Sequence, residues 1–204
     1  TRAEVLFARH GVRTRGAVMA EQVPGGFAEV YRVLREAEDR GAVLRGMFVE
    51  GLGATQFAAT STIDVLRSHV RESDDEASGP AYALASTDPA QPFGAALEWP
   101  ATLAAADSSH RPSRRAGSLV LLHDGVLVAY VERGARRILT FTDDPARLTA
   151  AAAALADLGR TGRVGRLRVE TVDDRSVGGT AIGEAMAAAG FRAHPKGLQL
   201  DARR

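Results

Sequence analysis

The chain has 204 residues, of which 45 % are hydrophobic and 25 % are charged, and its formal net charge is +1. These values are typical of a folded globular protein with room for one large or two small domains. No apolar run approaches the roughly 20 residues of a membrane-spanning helix, and no signal peptide is visible, so we expect no membrane contact. The chain lacks cysteine, which excludes disulfides and thiolate metal sites and agrees with a cytoplasmic location. Because the chain opens directly into a helical pattern, we expect it to be part of a longer polypeptide.

Charge is unevenly distributed along the chain. Residues 1–60 carry 8 arginines against 7 acidic residues, a net of +1, and residues 61–110 carry 2 against 8, a net of −6. Residues 111–204 carry 16 basic residues against 10 acidic ones, a net of +6. This asymmetry indicates either surfaces for different partners or ordinary solvated faces. Since Lys196 is the only lysine, the preference for arginine reflects either phosphate binding or the codon bias of a GC-rich genome.

Residues 1–60 begin with the pattern of three helices. The first is predicted over Thr1–Arg9, and Thr14 is a suitable N-cap for a second helix that runs to about Gln22. The third is predicted over Phe27–Arg40, and Gly41 supplies the left-handed residue that closes it. Its buried stripe recurs at helical spacing and consists of Phe27, Val30, Leu34 and Ala37.

A small hairpin follows the third predicted helix. Its predicted strands cover Ala42–Arg45, Met47–Glu50 and Gln56–Ala59, with a glycine turn at Gly51–Gly53. Helices followed by such a hairpin are the plan of a winged helix, in which the last helix enters a DNA groove and the wing contacts the backbone. The alternative is a small helical domain whose hairpin binds nothing, since many winged helices bind protein or pack internally.

The winged-helix pattern supplies five candidate DNA contacts. Arg32 and Arg35 lie on the polar face of the third helix, so we assign them to groove contacts. Backbone contacts are assigned to Thr14, Arg15 and the wing residue Arg45, whose donor groups suit phosphate oxygens.

The next segments change from helix to strand. Residues 61–80 are predicted to hold a helix over Thr62–Glu72 and a polar linker that ends in Gly79-Pro80. Residues 81–142 are predicted to form a β-barrel-like meander or a curved sheet, with Asp124-Gly125 as a strong two-residue hairpin turn. The predicted strands are Tyr82–Ser86, Ser118–Leu122, Val126–Glu132 and Arg137–Thr142.

A long segment without periodicity interrupts this β region. Residues 101–117 predict a flexible loop, in which Arg114 and Arg115 are candidate phosphate contacts and solvation is the alternative for each. Trp99, just before the loop, is either a stacking platform for a nucleic-acid base or a core residue, and packing favours the core.

Residues 143–204 predict a small α/β part. Asp144 caps and Pro145 starts a helix that runs to Leu158, with Gly159 as the residue after its end. A second helix is predicted over Thr180–Ala189. Extended segments are predicted over Arg166–Val172, Phe191–Ala193 and Leu198–Leu200. The predicted fold class is therefore α+β: a winged helix, a β-barrel-like meander and a small α/β C-terminal part.

The sequence contains no motif for nucleotide or metal chemistry. A P-loop needs G-x-x-x-x-G-K-[ST], and the only lysine lies in His194-Pro195-Lys196-Gly197. The five histidines lack the spacing of metal ligands. We therefore expect no cofactor in this part of the polypeptide.

Several motifs in order resemble the C-terminal region of Lhr-type helicases, the large helicase-related members of the superfamily 2 DEAD/DEAH enzymes. Single motifs are weak, but their number and order over nearly the whole chain make the resemblance specific. They are L-F-A-R-H-G-V-x-T-R-G (Leu6–Gly16), V-P-G-G-F-A-x-V-Y (Val23–Tyr31), F-V-E-G-L-G-x-x-Q-F-A (Phe48–Ala58), T-D-P-A-x-P-F-G (Thr87–Gly94), L-V-A-Y-V-E-R-G (Leu127–Gly134) and A-G-F-R-A-x-P-K-G-L (Ala189–Leu198).

This resemblance implies a 3′-to-5′ ATP-dependent DNA helicase involved in DNA repair. Its motor domains, with ATP and Mg²⁺, would lie N-terminal to this chain in the same polypeptide. The family's C-terminal part is understood as serial winged helices with a β-barrel. The implied partner is DNA, single-stranded or 3′-tailed.

The same architecture is similar to AlkZ-type DNA glycosylases, and uracil excision has been attributed to this region in some family members. AlkZ-type enzymes rely on two glutamines separated by one residue, whereas every glutamine here is isolated. Excision would need a carboxylate to stabilise the sugar cation or to activate water, after the base is flipped out. Asp201, an isolated acid after an apolar segment, is the candidate catalytic residue, with a solvated chain end as the alternative.

Three functions therefore remain open from the sequence. The first is a DNA-binding accessory module of a helicase without catalysis of its own. The second is a glycosylase module. The third is an oligomerisation scaffold, in which acidic residues 61–110 of one chain meet basic residues 111–204 of another.

Overall fold

The computed structural model describes residues 11–20, 22–69 and 79–201. The chain divides into two compact units, residues 1–74 with 95–98 and residues 75–94 with 99–204. The fold is mixed α+β, as predicted. The helix predicted over Thr1–Arg9 and most of the predicted linker lie outside the described residues. None of the helices in the described ranges is long and apolar enough to cross a membrane.

The first unit has the element order of a winged helix. Its three strands form an antiparallel sheet in the order β1-β3-β2. In chain order its elements are β1 (Val12–Arg13), α1 (Arg15–Ala20), α2 (Gly26–Asp39), β2 (Leu44–Gly46), β3 (Gln56–Ala58) and α3 (Thr60–Ser68).

Helix α2 is positioned by its apolar stripe and by its caps. Val30 and Leu34 are buried against Val18 and Phe57, which confirms the predicted stripe. At the C-terminal end, Gly41 has a φ of +72°. The Gly41 amide donates to the Glu38 carbonyl at 2.8 Å, and the next amide, that of residue 42, donates to residue 37 at 2.9 Å. These two bonds form a Schellman motif, so α2 ends where its glycine predicted.

The wing differs from its prediction in two places. The second predicted strand, Met47–Glu50, is not a strand, because the amides of this segment bond to a side chain instead of a neighbouring strand. The short strand β1 was not predicted, since two residues carry no periodicity. Helix α3 begins at Thr60 without a side-chain cap, two residues before its prediction.

The side chain of Gln56 organises the wing loop. It is fully buried, and its Oε1 accepts hydrogen bonds from the amides of Phe48 at 3.0 Å and Val49 at 2.9 Å. Its Nε2 donates to the carbonyls of Val49 at 2.7 Å and Gly53 at 2.8 Å. One amide group thus satisfies four part-buried backbone groups of an irregular loop, which has no strand partner for them.

The second unit is built on a six-stranded sheet in the order β10-β9-β7-β6-β5-β4. All neighbours pair antiparallel except β7 and β9, which are parallel. The strands are β4 (Ala81–Ala85), β5 (Leu119–His123), β6 (Val126–Val131), β7 (Arg137–Thr140), β9 (Thr171–Val172) and β10 (Arg175–Ser176). The predicted turn at Asp124-Gly125 has φ angles of +49° and +77°, as a type I′ hairpin requires.

The predicted barrel is not confirmed, because this sheet is open: in the described residues β10 and β4 are its two edges and do not pair. Helix α4 (Pro145–Arg160) lies between β7 and β9 in the chain and packs on the sheet. The sheet therefore buries this face against a helix and does not curl onto itself.

Helix α4 also packs beside a second small sheet. Strands β8 (Leu167–Val169), β11 (Arg192–His194) and β12 (Gly197–Leu200) pair in the order β11-β12-β8, and α5 (Ala181–Ala188) completes this core. Gly159 lies inside α4, not after its end as predicted. A Cβ at Gly159 would lie 2.8 Å from Leu200 Cδ2 and 3.0 Å from a Leu167 methyl, so glycine here permits close packing of helix and sheet.

The opposite face of the six-stranded sheet is covered by irregular chain. Trp99 packs edge-on against Tyr130 at 5.8 Å and stacks with Phe93 at 6.5 Å, which confirms the core alternative for Trp99. Buried Gln91 satisfies this segment as Gln56 satisfies the wing: its Nε2 donates to the carbonyls of Ser86 and Phe93, each at 2.9 Å. Residues 101–117 are irregular as predicted.

Replacing Gln56 by alanine is expected to open the wing loop. Four part-buried backbone groups would lose their partner, at roughly 1–3 kcal/mol for each group that water cannot reach. In hydrogen-exchange measurements, the amides of Phe48 and Val49 should exchange at least about tenfold faster than in the unmodified chain, because a factor of ten corresponds to about 1.4 kcal/mol.

The control is Thr55→Ala, which changes an exposed neighbour of Gln56. It should leave the exchange of both amides unchanged. Equal exchange rates in Gln56→Ala and Thr55→Ala would contradict the role given to the buried amide.

Candidate nucleic-acid interface

The exposed face of α2 carries the two arginines predicted to enter a DNA groove. Arg32 and Arg35 are exposed, since they lie on the side of α2 opposite the buried pair Val30 and Leu34. No carboxylate in the described part of the chain forms an ion pair with either guanidinium. Both side chains are therefore unoccupied donors.

Acidic residues share this face of α2. Glu29, Glu36 and Asp39 are exposed on the same side of the helix, so the face is mixed in charge and not uniformly basic. Any attraction to phosphate would come from individual guanidinium groups at short range, because opposite charges along one helix cancel at distances beyond about 10 Å in salt.

Arg45 links the wing to α2. Its Nη1 donates to the Tyr31 hydroxyl at 3.3 Å, and its Nε lies 3.2 Å from a carboxylate oxygen of Glu38. The Arg45 side chain remains 44 % exposed, so it positions the wing while part of it stays in solvent. Sequence reasoning missed Tyr31 and Glu38, although their i, i+7 spacing places them on one side of α2.

A shallow groove of the first unit is lined by residues of α1 and of the first half of α2. Its volume is about 480 Å³, and it is lined by Arg15, Met19, Phe27 and Tyr31. The rings of Phe27 and Tyr31 are 5.7 Å apart. Because Tyr31 contacts both this groove and Arg45, the structure brings the predicted contacts Arg15 and Arg45 to one side of α2.

Thr14 does not lie at this surface. It is 2 % exposed, and its Oγ1 accepts a hydrogen bond from the Ala17 amide at 3.1 Å. The predicted N-cap is therefore present, and the phosphate contact assigned to Thr14 is corrected. A hydroxyl that caps α1 from inside the unit has no path to a phosphate.

The two arginines predicted in the 101–117 loop have different environments. The guanidinium of Arg114 donates to the carbonyls of Gln91 at 2.9 Å, Asp88 at 3.2 Å and Phe93 at 3.4 Å. Arg114 therefore holds the loop together and is not a free phosphate contact. Arg115 is exposed, and in the described structure no residue accepts a hydrogen bond from its guanidinium.

Asp201 follows strand β12 and is exposed. Its carboxylate accepts a hydrogen bond from Gln199 Nε2 at 3.0 Å and lies 3.1 Å from Arg166 Nε. Within residues 79–201 it lines neither the groove beside Arg133 nor those beside Thr180 and Trp99. The structure thus places the candidate catalytic carboxylate in a surface ion pair at the end of the small sheet.

The buried glutamines are committed to structure. Both Gln56 and Gln91 use their amide groups for loop carbonyls and amides, so neither can contact a substrate. In the described ranges, no group of three or more His, Asp or Glu side chains is arranged to hold a metal ion.

A short chain of polar contacts ties the 101–117 loop to the sheet of the second unit. Asp174, in the turn between β9 and β10, contacts His110 Nδ1, and His110 Nε2 contacts the guanidinium of Arg137. The hydrogen bond from the Ser108 side chain, followed by that from His110, lowers the pKa of Asp174 below its usual value of 3.8. An ionised Asp174 therefore stabilises this loop.

Comparisons with known proteins agree with these features. Residues 1–78 match the family model "Large helicase-related protein, winged-helix domain". A relative from Mycolicibacterium smegmatis (strain ATCC 700084 / mc(2)155), named "Lhr helicase/ probable uracil glycosylase", is 47 % identical over 208 residues, which cover 97 % of this chain and 13 % of the relative. The chain belongs to the Lhr-type proteins.

A second relative extends this match. The "Lhr helicase/uracil glycosylase" of Escherichia coli (strain K12) is 36 % identical over 198 residues, which cover 96 % of this chain and 12 % of the relative. The Lhr-type chain thus spans about an eighth of the length of the curated relatives it matches. Together with the winged-helix match, these relatives confirm the resemblance to a C-terminal Lhr-type region.

The contact of Asp174 generates a pH-dependent prediction. Because the folded state lowers the pKa of Asp174, the contact stabilises the protein above pH 3.8 and this contribution is lost as the pH falls through the lower folded pKa. Asp174→Asn should therefore melt at a lower temperature than the unmodified Lhr-type chain at pH 5, and the difference should shrink towards pH 3.

Asp107→Asn serves as the control, because Asp107 is an exposed acid of the same loop. Its melting temperature should follow that of the unmodified chain at both pH values. A difference for Asp174→Asn that stays the same at pH 5 and pH 3 would contradict the contribution of the carboxylate.

Proposed function

We propose that this Lhr-type region is a DNA-binding accessory module, and that the exposed face of α2 makes the contact. The observation that carries the proposal is the winged-helix order with Arg32 and Arg35 exposed and unpaired on α2. A helix of this kind, followed by a wing, is the element that enters a DNA groove in winged-helix proteins. Arg15 and Arg45 flank the same side and would contact backbone phosphates.

The mixed charge of α2 sets the expected strength of this contact. Exposed acids surround Arg32 and Arg35, so the helix would neutralise about two phosphates and not a long stretch of backbone. Each neutralised phosphate contributes a slope of roughly 0.9 for duplex DNA and 0.7 for a single strand in log affinity against log salt. Such a module binds weakly by itself and adds affinity when it is tethered to a motor.

The names of the relatives support placing this module in an ATP-dependent helicase. Both are named as Lhr helicases, so we propose that motor domains of the same polypeptide bind ATP and Mg²⁺ and translocate 3′ to 5′ during DNA repair in the cytoplasm. Lys196, the only lysine of this chain, lies in the exposed β11–β12 turn without a phosphate-binding loop. Single-stranded or 3′-tailed DNA is the proposed substrate. Self-association through residues 61–110 and 111–204 stays a prediction.

Reversing the charge of Arg32 and Arg35 tests the proposal. Arg32→Glu combined with Arg35→Glu should weaken the binding of a duplex with a 3′ tail and lower its salt slope by about 2, because two phosphate contacts are lost. Fluorescence anisotropy titrations at several salt concentrations measure both quantities.

A charge-matched control separates local contact from net charge. Arg67→Glu combined with Arg163→Glu reverses two other exposed arginines, one on α3 and one in the second unit. This variant should retain the salt slope. A slope that is unchanged in the Arg32 and Arg35 variant would reject the assigned contacts.

Uracil excision is a second candidate function. Both relatives carry uracil glycosylase in their names, and Asp201 is the exposed acid that follows β12 in this chain. Its neighbours Arg166 and Gln199 hold the carboxylate in place at the end of β12. A held carboxylate could stabilise the sugar cation that forms when the base leaves.

Asp201→Asn tests this candidate. The Lhr-type chain is incubated with uracil-containing single-stranded DNA and then treated with alkali, which breaks the strand at each abasic site. Strand breaks should appear with the unmodified chain and disappear with Asp201→Asn, since the amide carries no negative charge. Asp157→Asn is the matched control, because Asp157 is also an exposed acid that pairs with an arginine, Arg160, at 2.9 Å. Equal breakage by both variants would exclude Asp201 as the catalytic carboxylate.

A further inference from the structure

A cationic surface lies in the second unit, beside strands β6 and β7. It is a groove of about 760 Å³ between the end of the 101–117 loop and the β6–β7 turn. Four arginines and one acid line it, together with hydroxyl groups at its base. The charged residues are Arg111, Arg115, Arg133, Arg137 and Glu132.

Two of these arginines are fixed by the protein. The guanidinium of Arg111 donates to the carbonyls of Ser108 at 2.5 Å and His110 at 2.8 Å. Arg137 is held between His110 and, at 3.9 Å, Glu132. Their positive charges are thus kept in place on one side of the groove.

The other two arginines have unoccupied donors. Arg115 and Arg133 are exposed, and in the described residues no acceptor or carboxylate pairs with either guanidinium. The stem of Arg133 lies over Gly117, where a Cβ would be 3.1 Å from Arg133 Cγ. The glycine therefore lets the Arg133 stem lie close to the backbone of the loop.

The base of the groove supplies neutral hydrogen-bonding groups. Tyr130 is 3 % exposed, and its hydroxyl donates to Ser118 Oγ at 3.0 Å. Ser113 Oγ lies 3.4 Å from the same hydroxyl. The Tyr130 hydroxyl is committed to Ser118, so the half-buried Ser113 hydroxyl is the neutral group that could join the guanidinium groups in binding a tetrahedral anion.

We propose that this groove binds phosphate groups of a single DNA strand, with Arg115 and Arg133 as the contacts. Glu132 offsets only one of the four arginine charges, so the groove is positive where the chain as a whole is nearly neutral. Forked guanidinium groups bind phosphate in a bidentate way, and a groove of this volume is larger than one phosphate needs. The inference rests on the proposed function for the identity of the ligand as DNA, but its contacts are separate from those of α2.

The test is Arg115→Glu combined with Arg133→Glu, with binding of an oligothymidine strand measured over a range of salt. We expect at least about tenfold weaker binding at low salt and a salt slope lower by about 1.4, since two contacts to a single strand are lost at roughly 0.7 each. The control is Arg163→Glu combined with Arg192→Glu, two exposed arginines of the same unit outside the groove lining. Control binding that falls as far as that of the groove variant would overturn the proposal, as would unchanged binding by the groove variant.

Two further arms keep the outcomes distinct. In the first, the groove substitutions are made in a chain that already carries Arg32→Glu and Arg35→Glu. They should weaken strand binding further, and this loss supports the groove even if α2 makes no contact.

In the second, inorganic pyrophosphate is the competitor. It should compete only at concentrations far above those of the strand; competition at equal concentration would overturn the DNA assignment in favour of a small phosphate ligand. If the glutamate variant does not fold, Arg115→Gln with Arg133→Gln, which removes charge without introducing acids, should give the same loss of binding.

Discussion

Irregular backbone inside a protein needs hydrogen-bond partners, and in both units a buried glutamine supplies them. Gln56 satisfies four backbone groups of the wing loop, and Gln91 serves the chain that covers the six-stranded sheet. An amide side chain suits this task because it carries donors and acceptors on one rigid group. The wing beside α2 therefore depends on Gln56, and residues 86–93 of the second unit depend on Gln91.

The arginines of this Lhr-type chain divide by whether their donors are occupied. The guanidinium of Arg114 donates to three carbonyls of residues 88–93, and part of the Arg45 guanidinium is engaged by Tyr31 and Glu38. Arg32, Arg35, Arg115 and Arg133 keep theirs exposed. Since a guanidinium that is already bonded must break those bonds to bind phosphate, the exposed set carries the main proposed contacts with DNA. Arg45 can add only the part of its guanidinium that stays in solvent, and Arg114 serves the structure of the loop.

Strong local signals predicted most elements. The stripe of α2, its end at Gly41, the cap at Asp144 and the Asp124-Gly125 turn depend on neighbours a few residues away, and all are present. Weak local signals failed. Gly159 was predicted to follow a helix end, yet it lies inside α4; glycine is needed there because a side chain would collide with Leu200. The barrel prediction counted strands, but the sheet is open because a helix covers one face.

The sequence by itself determined the α+β class, the winged-helix order, the Lhr-type kinship and the exposure of Arg32 and Arg35. All of these follow from the spacing of residues a few positions apart or from the order of motifs along the chain. Only the tertiary structure decided which polar side chains are already engaged. The Thr14 hydroxyl caps α1 from inside the first unit, and the Arg114 guanidinium donates to a backbone carbonyl of Gln91. Arg115 and Arg133 line the same groove. The reason is physical: whether a donor faces solvent or a carbonyl depends on which residues distant in sequence fold next to it. A local sequence pattern does not contain that information.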